Sequence, residues 1–367
     1  MEILFWTSTF VIAYVYVGYP LLLAAWARLA PRPPKTEGFP NGSWPAVSII
    51  VAARNEAARL PGRIENLLAL TYDGRREIIV VSDGSTDGTA AALAPYAETV
   101  RVIDVPAGGK PLALNAGVAA ATGDIVVFAD ARQQFGHRAL VALVSTFADP
   151  DVGGATGELI LDCEAGGVDS TIGDGVGAYW KYEKWLRRKE GLIRSTLGAT
   201  GAIYALRRSL WQPLPAETLL DDVLAPMRAV LDGWRIVFEE QATAFDRAAP
   251  DTAAETRRKR RTLAGNYQIL AQEPRLLVPF VNPVWLQYVS HKVGRLLVPW
   301  ALVAAFVSSA LLATDGWIYT LAFAAQGAFY GLALLGAWFD SRDRQQAQPA
   351  DEVPGDFSVA SWGKETR

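Results

Sequence analysis

The chain has 367 residues, 51% of them hydrophobic and 20% charged, with a formal charge of −3. This excludes a disordered chain, and the near-neutral balance offers nucleic acid no general attraction. A single cysteine, Cys163, and two histidines, His137 and His291, exclude an intramolecular disulfide framework and a Cys- or His-rich metal centre. Any metal would be held mainly by oxygen, which points to Mg²⁺ or Mn²⁺.

The apolar residues are gathered into three uncharged runs, Ile3 to Ala27, Leu296 to Thr314 and Gly316 to Phe339. Each is long enough to cross a bilayer as a helix. The first lacks a basic amino end, and Ala30-Pro31 makes a poor cleavage site, so it reads as a retained anchor rather than a cleaved signal. Pro20 is expected to kink it. Arg28, Arg32 and Lys35 follow this run, Lys292 and Arg295 precede the second, and Arg342 and Arg344 follow the third. The positive-inside rule then places the amino terminus outside and residues 28–295 and the tail in the cytoplasm of a bacterial-type inner membrane. The expected order is a transmembrane helix over 1–27, a Pro-rich linker over 28–45, a cytoplasmic domain over 46–274, an interfacial segment over 275–295, a transmembrane hairpin over 296–339 and a polar tail over 340–367. A core helix of the soluble domain would explain Arg275 to His291 as well as an interfacial segment does.

Within the cytoplasmic part, Val47 to Val51 is a continuous β-branched run suited to a buried parallel strand. A helix is expected over roughly Glu56 to Leu70, then a strand at Ile78–Val81 that ends in Ser82-Asp-Gly-Ser-Thr-Asp-Gly-Thr89 before an Ala-rich helix. Val100–Val105 is a third strand, Lys110–Ala121 a helix and Ile125–Phe128 a fourth strand. This alternation means an α/β sheet with mostly parallel strands, whose ligands sit at the strands' carboxyl ends. Those ends carry Glu56, Asp83 and Asp130. No GxGxxG follows the first strand and no P-loop occurs. Acidic groups at strand ends can bind sugar hydroxyls or base edges, or hold a cation that in turn binds phosphate. Asp83-Gly-Ser-Thr-Asp-Gly is also an ordinary turn and helix N-cap pattern.

The segments VSIIVAARNEA, VSDGSTDGT, GGKPLALNAG, TGDIVVFADAR, GATGAIYALRRSL, LLDDVLAPM, ETRRKRRT and SHKVGRLLVP, in this order, resemble the membrane-bound family-two glycosyltransferases, which include cellulose, chitin and hyaluronan synthases. The resemblance covers nearly residues 45–300. It implies a GT-A-like fold, a mostly parallel α/β sheet with flanking helices that stands beside the three transmembrane helices read from the apolar runs. It also implies a nucleotide-sugar donor, usually UDP-linked, Mg²⁺ or Mn²⁺, and inversion at the anomeric carbon. Carried over by position, Glu56 and Asp83 contact the nucleoside and Lys110 lies close to the donor. Asp130 matches the first Asp of the metal-binding Asp-x-Asp, and Arg132 replaces the second. That leaves a one-carboxylate metal site, or an arginine compensating the diphosphate. Asp222, beside Asp221, matches the general base; Asp221-Asp222 also reads as an N-cap before Val223–Val230.

Arg258 and Arg261 fall on the first and fourth positions of the family's Gln-x-x-Arg-Trp motif, where the arginine steadies the departing diphosphate. Thr262 stands in place of the motif's Trp, which argues against processive polymer synthesis. Without the resemblance, Arg257–Arg261 is a solvated or headgroup-facing basic stretch. Trp180, Tyr182 and Trp185 belong to an amphipathic interface helix or stack on sugars. His137 reads as a helix-start residue, His291 as a membrane-entry clamp with Lys292 and Arg295, and Cys163 as a small buried residue. Gly198–Gly201 (GATG) shapes the acceptor mouth or is a plain turn. The expected function is transfer of a sugar from a nucleotide donor to a saccharide or lipid-linked hydroxyl acceptor at the bilayer, with a homo-oligomer or secretion partner if polymer is exported. The alternative is a catalytically silent nucleotide- or lipid-binding subunit of a secretion complex.

Overall fold

The computed structural model describes residues 1–35, 38–39, 42–162, 170–247 and 252–346. Cys163 and the tail beyond residue 346 lie outside the described residues. The chain divides into two units, Val15–Leu296, and Met1–Tyr14 with Leu297–Arg367.

The larger unit is built on one eight-stranded sheet, β1 (Val47–Ala53), β2 (Arg76–Asp83), β3 (Val100–Val105), β4 (Ile125–Asp130), β5 (Gln134–Phe135), β6 (Val152–Asp162), β7 (Ile203–Arg207) and β8 (Arg235–Arg247), in the order β3-β2-β1-β4-β7-β6-β8-β5. The first four strands pair in parallel, and β1, β2 and β4 carry the apolar runs suited to buried parallel strands. β7 joins β4 and β6 antiparallel, so the sheet is mixed beyond β4. Successive residues of β1 feed opposite cores: Ile49 and Val51 pack with Val80, Val127 and the helices α3 (Leu60–Leu68) and α5 (Ala139–Ser145). Ile50 packs on the other side with Ile79, Phe128 and the helices α4 (Lys110–Ala120) and α7 (Asp221–Leu231). The register Ala53↔Ser82 and Ala52↔Asp130 brings the ends of β1, β2 and β4 side by side.

Two helices differ from expectation. α3 starts at Leu60 rather than Glu56, because Pro61 suits a first helical turn and residues 55–57 are bound to the 85–89 loop. The Ala-rich stretch after Thr89 is a 3₁₀ segment, Ala91–Tyr96; Pro95 inside it removes a backbone donor.

Among the described residues three helices are long and apolar enough to cross a membrane: Glu2–Leu29, Trp285–Leu311 and Trp317–Phe339. The first contains α1 (Glu2–Ala13) and α2 (Tyr19–Leu29), joined by a π segment, Tyr14–Gly18. Pro20 cannot donate back along the helix, and the wider turn just before it accommodates that loss. The second takes in more of the chain than the apolar run alone suggests. Residues 274–277 are a 3₁₀ turn, and helix begins at Trp285 with α9 (Trp285–Tyr288), passes a second π segment, Val289–Val293, and continues as α10 (Gly294–Leu311). The interfacial stretch expected over 275–295 is therefore part turn and part continuous helix. In the smaller unit α10 is followed by α11 (Trp317–Gln346), and Phe306 sets its ring against Phe323 and Tyr330.

α6 (Ser170–Ile193), which carries Trp180, Tyr182 and Trp185, packs on α2 and β8. Its Glu190 is buried and accepts a hydrogen bond from Tyr19 Oη at 2.7 Å, while Nδ1 of His291 lies 2.7 Å away. His291 is thus a buried partner inside the larger unit, with Arg295 bound to Glu183 next to it, near the start of the helix Trp285–Leu311. His137 precedes α5, as expected, and its Nε2 meets the Thr71 hydroxyl at 2.7 Å.

Candidate active site

Two loops at the strand ends are locked together. Asn55 adopts a left-handed φ of 56° and accepts from Thr86 N–H at 2.9 Å; the Glu56 amide donates to Thr89 Oγ1 at 3.0 Å and the Ala57 amide to Asp87 Oδ2 at 2.9 Å. The Thr89 hydroxyl and the amides of Ala57 and Thr89 hold the Asp87 carboxyl below its ordinary range. The Glu56 side chain turns to Arg59 at 2.8 Å.

Asp83 ends β2 and is buried; its carboxylate accepts from the amides of Gly108 at 2.7 Å and Gly109 at 3.0 Å. Gly109 sits at φ 88°, a conformation that favours glycine, and it caps α4. Asp83 thereby fixes the loop that launches Lys110.

The Lys110 ammonium reaches Asp130 Oδ1 at 2.9 Å and Asp221 Oδ2 at 3.5 Å. Burial opposes its charge, but Asp221 and Asp130 outweigh that and hold it above the usual lysine range. Three residues from separate parts of the sequence thus form one cluster, with Asp222 beside it. The N-cap reading of Asp221-Asp222 does not hold. The N-cap position is Leu220, with no side-chain capping bond, and both carboxylates lie in the first turn of α7, where the helix dipole favours negative charge.

Asp222 Oδ2 accepts from the Gly201 amide at 3.0 Å, and its carbonyl accepts from the Ala199 amide at 2.7 Å. The GATG loop is therefore the cradle of Asp222, and a Cβ at Gly201 would stand 3.0 Å from Asp222 Oδ2. Burial and neighbouring Asp221 push the Asp222 carboxyl up to about 6, with Lys110 and Lys292 opposing.

Arg132 donates through Nη2 to Asp246 Oδ2 at 2.6 Å, and Gln133 Nε2 binds the same oxygen at 2.9 Å. One guanidinium nitrogen is therefore committed within the protein. Arg258 and Arg261 lie on the exposed face of α8 (Thr252–Gln272). Arg261 Nη2 donates to Leu219 O at 3.0 Å, two residues before Asp221, and Arg258 stands 5.5 Å over the Trp180 ring. Arg261 is thus brought to the loop that leads into the acidic pair, and Arg258 to α6.

Sequence reasoning missed several supporting residues. Arg63 is buried beneath Asp130, donating to its carbonyl at 3.1 Å and lying 4.2 Å over the Phe135 ring. Its place on the apolar stripe Leu60, Ile64, Leu67 was a readable signal. Asp246, Arg187 and Glu190 had none, because their partners are distant in sequence.

A divalent cation fits this set in one form only. Among the described residues no three His, Cys, Asp or Glu side chains converge as ligands. Asp130 has one oxygen on Lys110 and stands a third exposed, leaving Oδ2 for a cation whose other ligands are phosphate oxygens and water, as Mg²⁺ commonly has.

Residues 48–210 match the glycosyl transferase family 2 profile. The beta-monoglucosyldiacylglycerol synthase of Nostoc sp. is 28% identical over 253 residues, which is 64% of this chain and 51% of that protein. The poly-beta-1,6-N-acetyl-D-glucosamine synthase of Staphylococcus aureus is 25% identical over 240 residues, 62% of this chain and 56% of that one. The chain spans about half the length of the curated relatives it matches. The mannosyltransferase PcManGT from Pyrobaculum calidifontis, solved in complex with GDP-Man and Mn²⁺, superposes with a TM-score of 0.68 at 25% identity, covering 90% of this chain and 92% of that one. The strand ends that carry Glu56, Asp83 and Asp130 lie within residues 48–210, the stretch that matches the glycosyl transferase family 2 profile, and the acidic pair of α7 follows it in the chain.

Proposed function

We propose that the protein transfers a sugar, with inversion, from a nucleoside-diphosphate donor to a saccharide or lipid-linked hydroxyl at the cytoplasmic face of a bacterial-type inner membrane. The observation that carries this reading is the cluster of Lys110, Asp130 and Asp221 at the strand ends, with Asp222 held beside it by Gly201. The names of the relatives support the substrate class. Two are synthases of a glucosyl lipid and of a sugar polymer, and the superposed mannosyltransferase holds a GDP-sugar.

In this reading Asp222 takes the acceptor hydroxyl's proton as that oxygen attacks the anomeric carbon. The bond to the β-phosphate breaks on the opposite face and its electrons leave with the diphosphate. Lys110 and Arg261 compensate the leaving charge, together with the part of Arg132 not engaged by Asp246. Asp130 would hold Mg²⁺ or Mn²⁺, which supplies further charge neutralisation on the phosphates. Glu56 and Asp83 act by shaping the nucleoside side of the cleft, Asp83 through the Gly108–Gly109 loop.

The test is nucleotide release by the detergent-purified protein with a panel of UDP-sugars and GDP-mannose, with membrane lipid extract as acceptor and Mg²⁺, Mn²⁺ or EDTA. Release with one donor, reduced at least about a hundredfold by Asp222→Asn, is the expected outcome. Absence of release with every donor would favour the silent-subunit alternative.

A further inference from the structure

Along α6, Glu183, Arg187 and Glu190 stand four and three residues apart, a spacing that puts three charged side chains on one face of the helix. That face is turned inward: Glu190 is buried, and Glu183 and Arg187 are partly buried. Two of the three anchor the helix itself. Glu190 meets Tyr19 of α2 and His291, and Glu183 meets Arg295, so α6 is fixed to two neighbouring helices of the larger unit.

Arg187 reaches the other way, into the GATG loop, where its Nη1 donates to Thr200 Oγ1. Thr200 is held at every polar group it has. Its amide donates to Thr156 Oγ1 at 2.8 Å, its carbonyl accepts from the Ile203 amide at 3.0 Å, and its hydroxyl accepts from Arg187. The next N–H along the chain is that of Gly201, which donates to Asp222 Oδ2 at 3.0 Å. A peptide pinned on the residue before it can aim that N–H in one direction only, and a hydrogen bond to one carboxylate oxygen fixes the rotation of the group about Cβ–Cγ.

The loop's two backbone anchors are neutral; the side-chain anchor is a cation. Burial holds the Arg187 guanidinium below the usual arginine range, while Glu183, Asp222, Glu190 and Glu158 oppose that. Partial burial of a charge is unfavourable, and a neutral side chain would cap a turn without it. A charged donor makes the stronger hydrogen bond. It also faces Asp222 with positive charge from α6, as Lys110 does from α4 and Lys292 from the segment before α10.

We propose that Arg187 is a positioning residue for the base: through Thr200 it fixes the Gly201 amide, and with it the orientation in which the Asp222 carboxylate meets the acceptor hydroxyl. The proposal rests on the functional reading above.

The detergent-purified full-length protein is compared with Arg187→Met, Arg187→Lys, Thr200→Val and the double variant Arg187→Met/Thr200→Val. Turnover is followed by nucleotide release, and the loop by hydrogen exchange of a peptide covering residues 199–202, with residues 203–207 of β7 as the internal reference. Arg187→Met and Thr200→Val should each lower kcat about tenfold with donor KM within about twofold of wild type, the pattern of a displaced base. In both, the 199–202 amides should exchange at least about tenfold faster while the β7 reference is unchanged. Arg187→Lys, which keeps a cationic donor, should recover most of both losses. The double variant should lose no more than either single one, because the two substitutions break the same contact. Thr200→Val changes no charge and little shape, so it carries the test where Arg187→Met fails to fold. An unchanged kcat in Thr200→Val, losses that multiply in the double variant, or a fall in kcat without faster exchange of the loop would overturn the proposal. Faster loop exchange in both single variants of a protein that turns over no donor would leave Arg187 as the anchor of the Asp222 cradle and remove the functional reading instead.

Discussion

At the residue scale Asp222, the base of the proposed reaction, is held between two demands. A base must be ionised to accept a proton, yet burial and Asp221 push its carboxyl up to about 6. The activity consequence is a kcat/KM that falls about tenfold per pH unit below roughly pH 6 and levels off above it, measurable with the donor found in the release assay. The stability consequence has the opposite sign. The folded value lies above the ordinary carboxylate value of 3.8, so the native state binds more protons than the unfolded chain between the two. This group's contribution to stability is therefore fully present below about 3.8, declines between there and about 6, and is level above that. Asp222→Asn keeps an oxygen for the Gly201 amide and removes the charge, so at pH 8 it should match or exceed wild type in Tm while losing activity. Thermal scans at pH 5 and 8 check this: a mutant clearly less stable than wild type at pH 8 would contradict it. Gly201→Ala sets a methyl group 3.0 Å from Asp222 Oδ2. The carboxylate must shift by a few tenths of an ångström, and kcat should fall about tenfold or more with little change in Tm.

At the element scale the loop–strand junctions depend on buried polar anchors. Arg63 of α3 joins that helix to the end of β4 through the Asp130 carbonyl and to Asn66 Oδ1 at 2.6 Å. Burial brings its guanidinium down to about 9, although the Asp130 charge partly offsets this. Arg63→Ala leaves a cavity and an unpaired carbonyl, and should cost about 2–4 kcal/mol in denaturant unfolding; Arg63→Met, which fills the space without a buried charge, should cost less. Equal losses for the two would show that the charge, and not the volume, is what α3 needs. How legible such features are in the sequence follows from the range of the interactions. β1, β2 and β4 are buried on both faces and show as apolar runs, and the acidic residues at their ends follow directly. α3 is amphipathic, yet its start depends on loop contacts made 30 residues away, which local pattern does not contain. Arg132 looked available for a diphosphate because Asp246, its partner, lies 114 residues on. The GATG loop read equally well as a turn, since its role lies in the two amides it offers Asp222.

At the scale of the whole molecule the cluster of Lys110, Asp130 and Asp221 and the apolar helices impose a joint condition on the proposed reaction. A nucleotide-sugar donor is charged and water-soluble, so in that reaction the strand ends of the larger unit must face the compartment that supplies it. The helices Glu2–Leu29, Trp285–Leu311 and Trp317–Phe339 are each long enough to span, and the turn at Asp315 separates the last two. If all three span, Glu2 and Asp315 share one side, and residues 30–284 and Arg342 share the other. The positive-inside rule assigns the second side to the cytoplasm, because Arg28, Arg32 and Lys35 and then Arg342 and Arg344 border it. Single cysteines at Glu2, Asp315, Asp73 and Arg342 in a Cys163→Ser background, labelled in intact cells with a membrane-impermeant maleimide, test the arrangement. Glu2→Cys and Asp315→Cys should label before lysis, and Asp73→Cys and Arg342→Cys only after it. Labelling of Asp73→Cys in intact cells would invert the molecule and place the donor site on the wrong side of the membrane. Labelling of Arg342→Cys together with Asp315→Cys would show that the last helix does not cross, leaving an even number of spans and a different relation between the two ends of the chain.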